Sequence, residues 1–301
     1  MKHLVLITAM AVALVACSQD TKNMEKKLDD MNRKLDAYIA KGGGGGGAGA
    51  ANAQPQRPAR PEPDRAKTYA VPVDGDGFDG PADAKVTIVK AYDYACPYCE
   101  KVRDTMEELH KKYGNDLRVV YKQMVVHPRN AMAGALAYCS ANKQGKGKDM
   151  DRLIWDKGFK ARQLDNSDVA AAPAAEAGGA PGGAAGGTAG GKCWDSPGGC
   201  AIVVGFAQEL GLNVDKFKSD MKGECQQLVQ KDMKDLSQLG VGATPSFFIN
   251  GRFISGAVPI ENFSAVIDEE LKKANERVQQ GTPGSEYYNQ WVIAKGQKTL
   301  Q

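Results

Sequence analysis

Apolar residues recur along this chain at strand and helix periods, and the alternation marks out a folded region from Tyr69 to about Leu271. Val86–Tyr92 is β-branched and largely apolar, which predicts a buried strand. After a short interval Val102, Met106 and Leu109 share one helical face, and Leu117–Met124 reads as a second strand. The unit is strand-helix-strand, with Cys96 and Cys99 at the start of its helix. Further on, Phe247–Ile249 reads as a strand, Asn250–Gly251 as a hairpin turn, Arg252–Ile254 as the returning strand and Pro259–Leu271 as a closing helix. Beyond Leu271 the chain is polar until Thr282–Pro283 caps a short helix carrying Tyr287, Tyr288, Trp291, Val292 and Ile293. These aromatics dock either on their own domain or on a partner.

The flanks follow other patterns. Lys2 precedes an apolar run from Leu4 to Ala16, interrupted only by Thr8; it is too short to span a bilayer core and reads as an export signal. Leu14–Cys17 resembles the lipobox of bacterial lipoproteins. That resemblance implies cleavage before Cys17, lipidation of Cys17 as a membrane anchor and, with Ser18 and Gln19 following, sorting to the outer membrane, facing the periplasm. Met24, Leu28, Met31, Leu35 and Tyr38 then form a short heptad stripe, which serves either self-association into a homodimer or a monomeric stalk. Gly42–Gly47 and the prolines Pro55, Pro58, Pro61 and Pro63 make a tether. Ala170–Gly191, almost entirely Ala and Gly, buries too little surface to offset chain entropy and is expected to be a disordered surface loop. Fifteen of the 35 glycines lie in these two tracts.

Composition narrows the chemistry. With 39 Lys and Arg against 36 Asp and Glu, the net charge of +3 is too even for nucleic acid as a main partner. Three histidines, His3, His110 and His127, do not make a multi-histidine metal site. No second Cys or His pair stands at zinc spacing from Cys96 and Cys99, so no metal is expected, and no cofactor is called for. Setting Cys17 aside as a lipid site leaves six of the 7 cysteines. Cys96 precedes a helix whose free N–H groups and positive dipole end favour a thiolate. Pro97 presets the first turn. Cys99, one turn further, can close a disulfide with Cys96 and is the expected resolving thiol. Turn residues separate Cys193 from Cys200, which favours a local loop disulfide.

Together with Cys96–Cys99, the segments Asp83–Val89, His127–Ala137 and Gly240–Gly251 make the chain resemble the DsbA-like thiol–disulfide oxidoreductases of the thioredoxin superfamily, over about two thirds of its length. The resemblance implies an α/β, thioredoxin-like fold with an inserted helical domain, matched here by Ala131–Asn142, Lys148–Phe159 and Ile202–Gln238. The Ala/Gly tract interrupts that insertion and is not part of the usual pattern. The resemblance also implies that the Thr244–Pro245 bond is cis and faces the redox pair, with Thr244 offering its backbone to a substrate peptide. A second bridge, between Cys139 and Cys225, is implied in the same way, although Cys225 is displaced by several residues from the place that pattern gives it.

Two positions depart from the superfamily. Six residues before the first active-site Cys it usually carries a buried acid; this chain has Lys90. Lys90 acts as a neutral base if burial lowers its pKa, stabilises a thiolate if charged, or reaches the surface with no effect. The dipeptide Pro97–Tyr98 replaces the Pro-His of strong oxidants and removes a thiolate-stabilising donor. The expected organisation is a signal peptide at 1–16, a lipidated N-terminus with helix and tether at 17–67, the catalytic domain at 68–271 with its low-complexity tract at about 170–191, and a helical tail at 272–301. The expected activity is exchange with thiols and disulfides of exported proteins in the cell envelope, served by a membrane or soluble redox partner. A dithiol oxidase is the leading reading. A dimeric isomerase or reductase reverses its direction, and a non-catalytic binding lipoprotein keeps only the scaffold.

Overall fold

The computed structural model describes residues 61–162, 164 and 192–300. The expected signal peptide, Cys17, the heptad stripe, the tether up to residue 60 and the Ala/Gly tract lie outside the described residues.

The chain runs through β1 (Gly77–Asp79), β2 (Val86–Tyr92), α1 (Pro97–Lys101), α2 (Arg103–Tyr113) and β3 (Leu117–Gln123). An insertion follows, made of α3 (Pro128–Asn142), α4 (Gly147–Leu153), a π-helical turn at Ile154–Phe159, α5 (Ala201–Glu209), α6 (Val214–Lys222) and α7 (Glu224–Gln238). The chain then completes the sheet with β4 (Ser246–Ile249) and β5 (Arg252–Ser255), and ends in α8 (Ile260–Gln279), α9 (Gly284–Tyr287) and a π-helical turn at Tyr288–Ile293.

The five strands lie in the order β1-β3-β2-β4-β5. β2 pairs in parallel with β3, Val86 opposite Leu117 and Tyr92 opposite Gln123, while the other pairs are antiparallel. Its central place, with layers on both faces, explains why all seven residues of β2 are buried, Lys90 included. Alternation sends Val86 and Ile88 to one face, where they meet Met106 and Leu109 of α2 and Phe263 and Ile267 of α8. Val89 and Ala91 turn to the other face, against Tyr69, Phe248, Tyr288 and Val292. The insertion has its own core around Leu136, Trp155, Val203 and Phe217, which continues into Tyr92, Tyr94 and Cys99. Disulfides tie α3 to α7 through Cys139–Cys225 and close the Cys193–Cys200 loop.

Asn250 and Gly251 both take positive φ, 43° and 85°, as a two-residue hairpin turn requires. A Cβ on Gly251 would lie 2.6 Å from the Tyr69 carbonyl oxygen. α8 continues beyond Leu271, across the boundary expected there, because Ala274 prolongs the buried stripe of Phe263, Ile267 and Glu270 at helical spacing. The terminal aromatics dock on their own domain: Tyr287, Tyr288 and Val292 are buried beside Tyr69 and Val120, and the Tyr288 hydroxyl donates to the Val71 carbonyl at 2.8 Å.

Candidate active site

The site forms where β2 ends and α1 begins. Cys96 is the N-cap of α1, in extended conformation (φ −88°, ψ 117°), and Pro97 opens the helix where its missing N–H leaves no gap. The Cys96 carbonyl accepts from the amides of Cys99 (3.0 Å) and Glu100 (3.3 Å), which winds the two thiols onto one turn. Both are free; Cys96 is 5% exposed and Cys99 is fully enclosed.

Asp93 holds this corner in place. Its carbonyl accepts from the Cys96 amide at 3.1 Å, and its fully buried carboxylate accepts from the amide of Ala95 at 2.6 Å. The other carboxylate oxygen takes the amides of Val126 and His127 at 2.7 and 2.8 Å, with His127 Nδ1 at 3.3 Å. The redox loop is thereby fastened to the residues that lead into α3. The sequence shows Asp93 only as an acid near the motif. An Asp two residues before a small residue ahead of a helix is an Asx-turn signal, but nothing in it points to Val126 and His127.

From the opposite side comes the loop before β4, with a cis Thr244–Pro245 peptide bond. Cys96 Sγ lies 3.2 Å from the Thr244 carbonyl oxygen. Among the described residues the buried Thr244 hydroxyl oxygen has no hydrogen-bond partner. Pro245 is buried, whereas Tyr98 stands outward, 62% exposed.

Electrostatics separate the two thiols. A hydrogen bond from the Cys99 side chain first, then the Thr244 side chain and the backbone at Cys99 and Tyr98, overcome the effect of burial and pull the Cys96 thiol down to about 5. Cys96 is therefore mostly thiolate at neutral pH. Burial first, then the hydrogen bond to Cys96 and the charge on it, push Cys99 far above the ordinary thiol range. The pair holds one proton, on the inner sulfur.

Lys90 is buried rather than extended to solvent, 2% exposed. Burial lowers its pKa, against the opposing pull of Asp151 and Cys99. Thus the structure brings Cys96, Cys99, Pro97, Tyr98, Lys90, Thr244 and Pro245 into one neighbourhood, and sets both disulfides apart from it in the insertion. Among the described residues no group of three or more His, Cys, Asp or Glu is placed to hold a metal ion.

Residues 74–269 match the model of a family described as Thioredoxin. The chain is 29% identical over 205 residues to a Na(+)/H(+) antiporter NhaA 1 of Salinispora arenicola, covering 65% of this chain and 25% of that protein. It is 24% identical over 194 residues to the Na(+)/H(+) antiporter NhaA of Herminiimonas arsenicoxydans, covering 64% and 25%. The chain thus spans about a quarter of the length of these curated relatives. Among solved structures, Wolbachia pipientis alpha-DsbA1 superposes with a TM-score of 0.50 at 15% identity, over 69% of this chain and 96% of that one. A family model that covers all five strands and the whole insertion, on a chain whose two thiols and cis-proline loop converge in this way, leads to one assignment: the chain belongs to the thioredoxin family, and its fold is DsbA-like.

Proposed function

We propose that the protein is a thiol–disulfide oxidoreductase working as a dithiol oxidase on exported proteins. The observation that carries the reading is the geometry of the pair: two free thiols on the first turn of α1, the outer one at the helix N-cap beside the cis Thr244–Pro245 bond and the inner one enclosed. Stabilising the reduced pair makes the disulfide form easier to reduce, and so a better oxidant. A substrate thiolate attacks Cys96 Sγ of the disulfide, the Cys96–Cys99 bond breaks and Cys99 leaves. A second substrate thiolate then displaces Cys96, so that the substrate gains a disulfide and the pair gains two electrons. A membrane or soluble redox partner takes those electrons back. Thr244 and Pro245 border Cys96, where the substrate strand would lie. The export signal and the lipobox at Cys17 support an envelope location with a lipid anchor. Among the described residues no helix is long and apolar enough to cross a membrane.

Cys96→Ser is expected to abolish oxidation of a dithiol peptide. The reduction potential of the wild-type pair is expected near about −120 mV, and a value near about −270 mV would overturn the oxidase direction in favour of a reductase.

A further inference from the structure

Between the sheet and the insertion lies a cavity of about 350 Å³ that opens to solvent. Asp76 and Gln123 line it, and its remaining walls are largely apolar, formed by Tyr138 of α3 and by Leu228 and Val229 of α7. Two oxygens in this wall, Asp76 Oδ1 and Gln123 Oε1, are buried and have no hydrogen-bond partner among the described residues. The residues that carry them are 9% and 3% exposed. A buried acceptor left unpaired is costly, so two beside one cavity point to a donor that fills it. Lys122 cannot serve: its three N–H groups are taken by Asp76 Oδ2 at 2.9 Å, Asp232 at 2.6 Å and Asp235 at 3.6 Å. Hydrogen bonding also fixes which end of the Gln123 amide faces the cavity. The Asp151 carboxylate accepts from the Tyr94 hydroxyl at 2.8 Å, which leaves Tyr94 to accept from Tyr92 at 3.1 Å. Tyr92 has then given its only proton and must accept from Gln123 Nε2, at 2.5 Å. The amide NH2 is therefore turned to the tyrosines and the carbonyl oxygen to the cavity.

Both free groups are acceptors, and the charge around them is acidic. Asp76, Asp232, Asp235 and, at the mouth, Glu224 face only Lys122 and Lys143. We propose that this cavity binds an alkylammonium group, carried by a free amine or by a lysine side chain. The ammonium donates to Asp76 Oδ1 and Gln123 Oε1, and the alkyl stem lies along Leu228, Val229 and Tyr138. Among the described residues no set of three His, Cys, Asp or Glu is placed for a metal ion, and the apolar walls suit an organic cation. A ligand seated here touches β3, α3 and α7 at once and so braces the sheet against the insertion. The ionisable groups facing Asp76 are Lys122 and Tyr121 on β3, Asp232 and Asp235 on α7, Tyr138 on α3 and Tyr288 in the closing turn, with Lys143 and Glu224 at the mouth. Burial pushes the three phenols up, away from neutrality. Burial and the charge of Asp232 raise Asp76 to about 8, so near neutral pH the incoming ammonium displaces a proton from Asp76 to solvent.

The test is an NMR titration of the full ¹⁵N-labelled chain with pentylamine, with pentan-1-ol as the uncharged control and acetyl-lysine methylamide as the side-chain form of the group. Pentylamine should shift the amides around Asp76 and Gln123 and bind at least about tenfold more tightly than pentanol. Its Kd should fall about tenfold per pH unit up to about pH 8 and level off above it. Asp76→Asn should weaken binding at least about tenfold at that pH. Should that change disturb the fold, Leu228→Trp fills the cavity from α7 with the ion cluster intact, and it should abolish binding. Equal affinity for pentylamine and the lysine derivative assigns the group to a protein side chain, and binding of pentylamine alone assigns it to a free amine; either result supports the site. Equal affinity for pentylamine and pentanol, an unchanged Kd in Leu228→Trp, or no shift with either ammonium probe overturns the proposal and leaves water as the partner of both oxygens.

Discussion

Cys96 and Thr244 are 148 positions apart in the chain and meet at one sulfur. The thiolate is stabilised chiefly by donors that already point at it, so its reactivity should carry a signature of each. Alkylation of Cys96 by iodoacetamide is expected to follow a single titration with its midpoint near about 5. Thr244→Val keeps the shape of the side chain but removes the hydroxyl. The midpoint should then rise toward the ordinary thiol value, and an unchanged midpoint would show that the hydroxyl makes no contribution. The pair was legible because helix start, proline and thiol spacing are local signals, whereas the cis-proline loop was expected only from the family resemblance. Lys90 was legible as a departure, yet its burial was not. One strand residue does not reveal whether its neighbours will leave it a path to the surface, and here the rings of Tyr92 and Tyr121 cover it.

Among elements, the decisive joint lies between the β2–α1 corner and the start of α3, and Asp93 is its only side-chain fastening described above. Asp93→Ala leaves the amides of Ala95, Val126 and His127 without their acceptor. Charged buried hydrogen bonds contribute about 1.5–3 kcal/mol each, so a loss of about 3 kcal/mol or more is expected in urea unfolding, with Asp93→Asn less damaging. A loss below about 1 kcal/mol would mean that water replaces the carboxylate. The strands β2 to β5 were readable from alternation and turn chemistry, and the helices of the insertion only through the resemblance to the DsbA-like proteins. The ion cluster on β3 was not. Lys122 is fully buried against Asp232 at 2.6 Å and Asp76 at 2.9 Å, partners 110 and 46 positions away. Period alone makes Lys122 one more polar strand residue, and only the docking of α7 across the strand turns it into a buried charge.

For the molecule as a whole, that cluster links β3, the segment before β1 and α7, and it gives stability a pH dependence. Three carboxylates, Asp76, Asp232 and Asp235, share the single ammonium of Lys122. Burial, then the charge of Asp232, raises Asp76 to about 8, against 3.8 for the free side chain. Between those values the folded chain holds a proton that the unfolded chain has released, so the contribution of this group to stability falls as pH rises through the window. Asp76→Asn removes the titration. Its urea midpoint should therefore decline less than that of wild type between about pH 5 and 8; parallel declines would show that Asp76 is ionised throughout. The hairpin turn adds a chemical counterpart to this thermodynamic measure. An Asn-Gly pair ages when the glycine amide nitrogen attacks the asparagine side chain to form a succinimide. In the folded chain the Asn250 amide donates to the Lys85 carbonyl and accepts from the Thr87 amide, at 3.0 and 2.9 Å, which holds it out of position for that attack. Succinimide formation at Asn250 accordingly needs the sheet to open, and the isoaspartate it leaves behind is a cumulative record of how often the protein has unfolded.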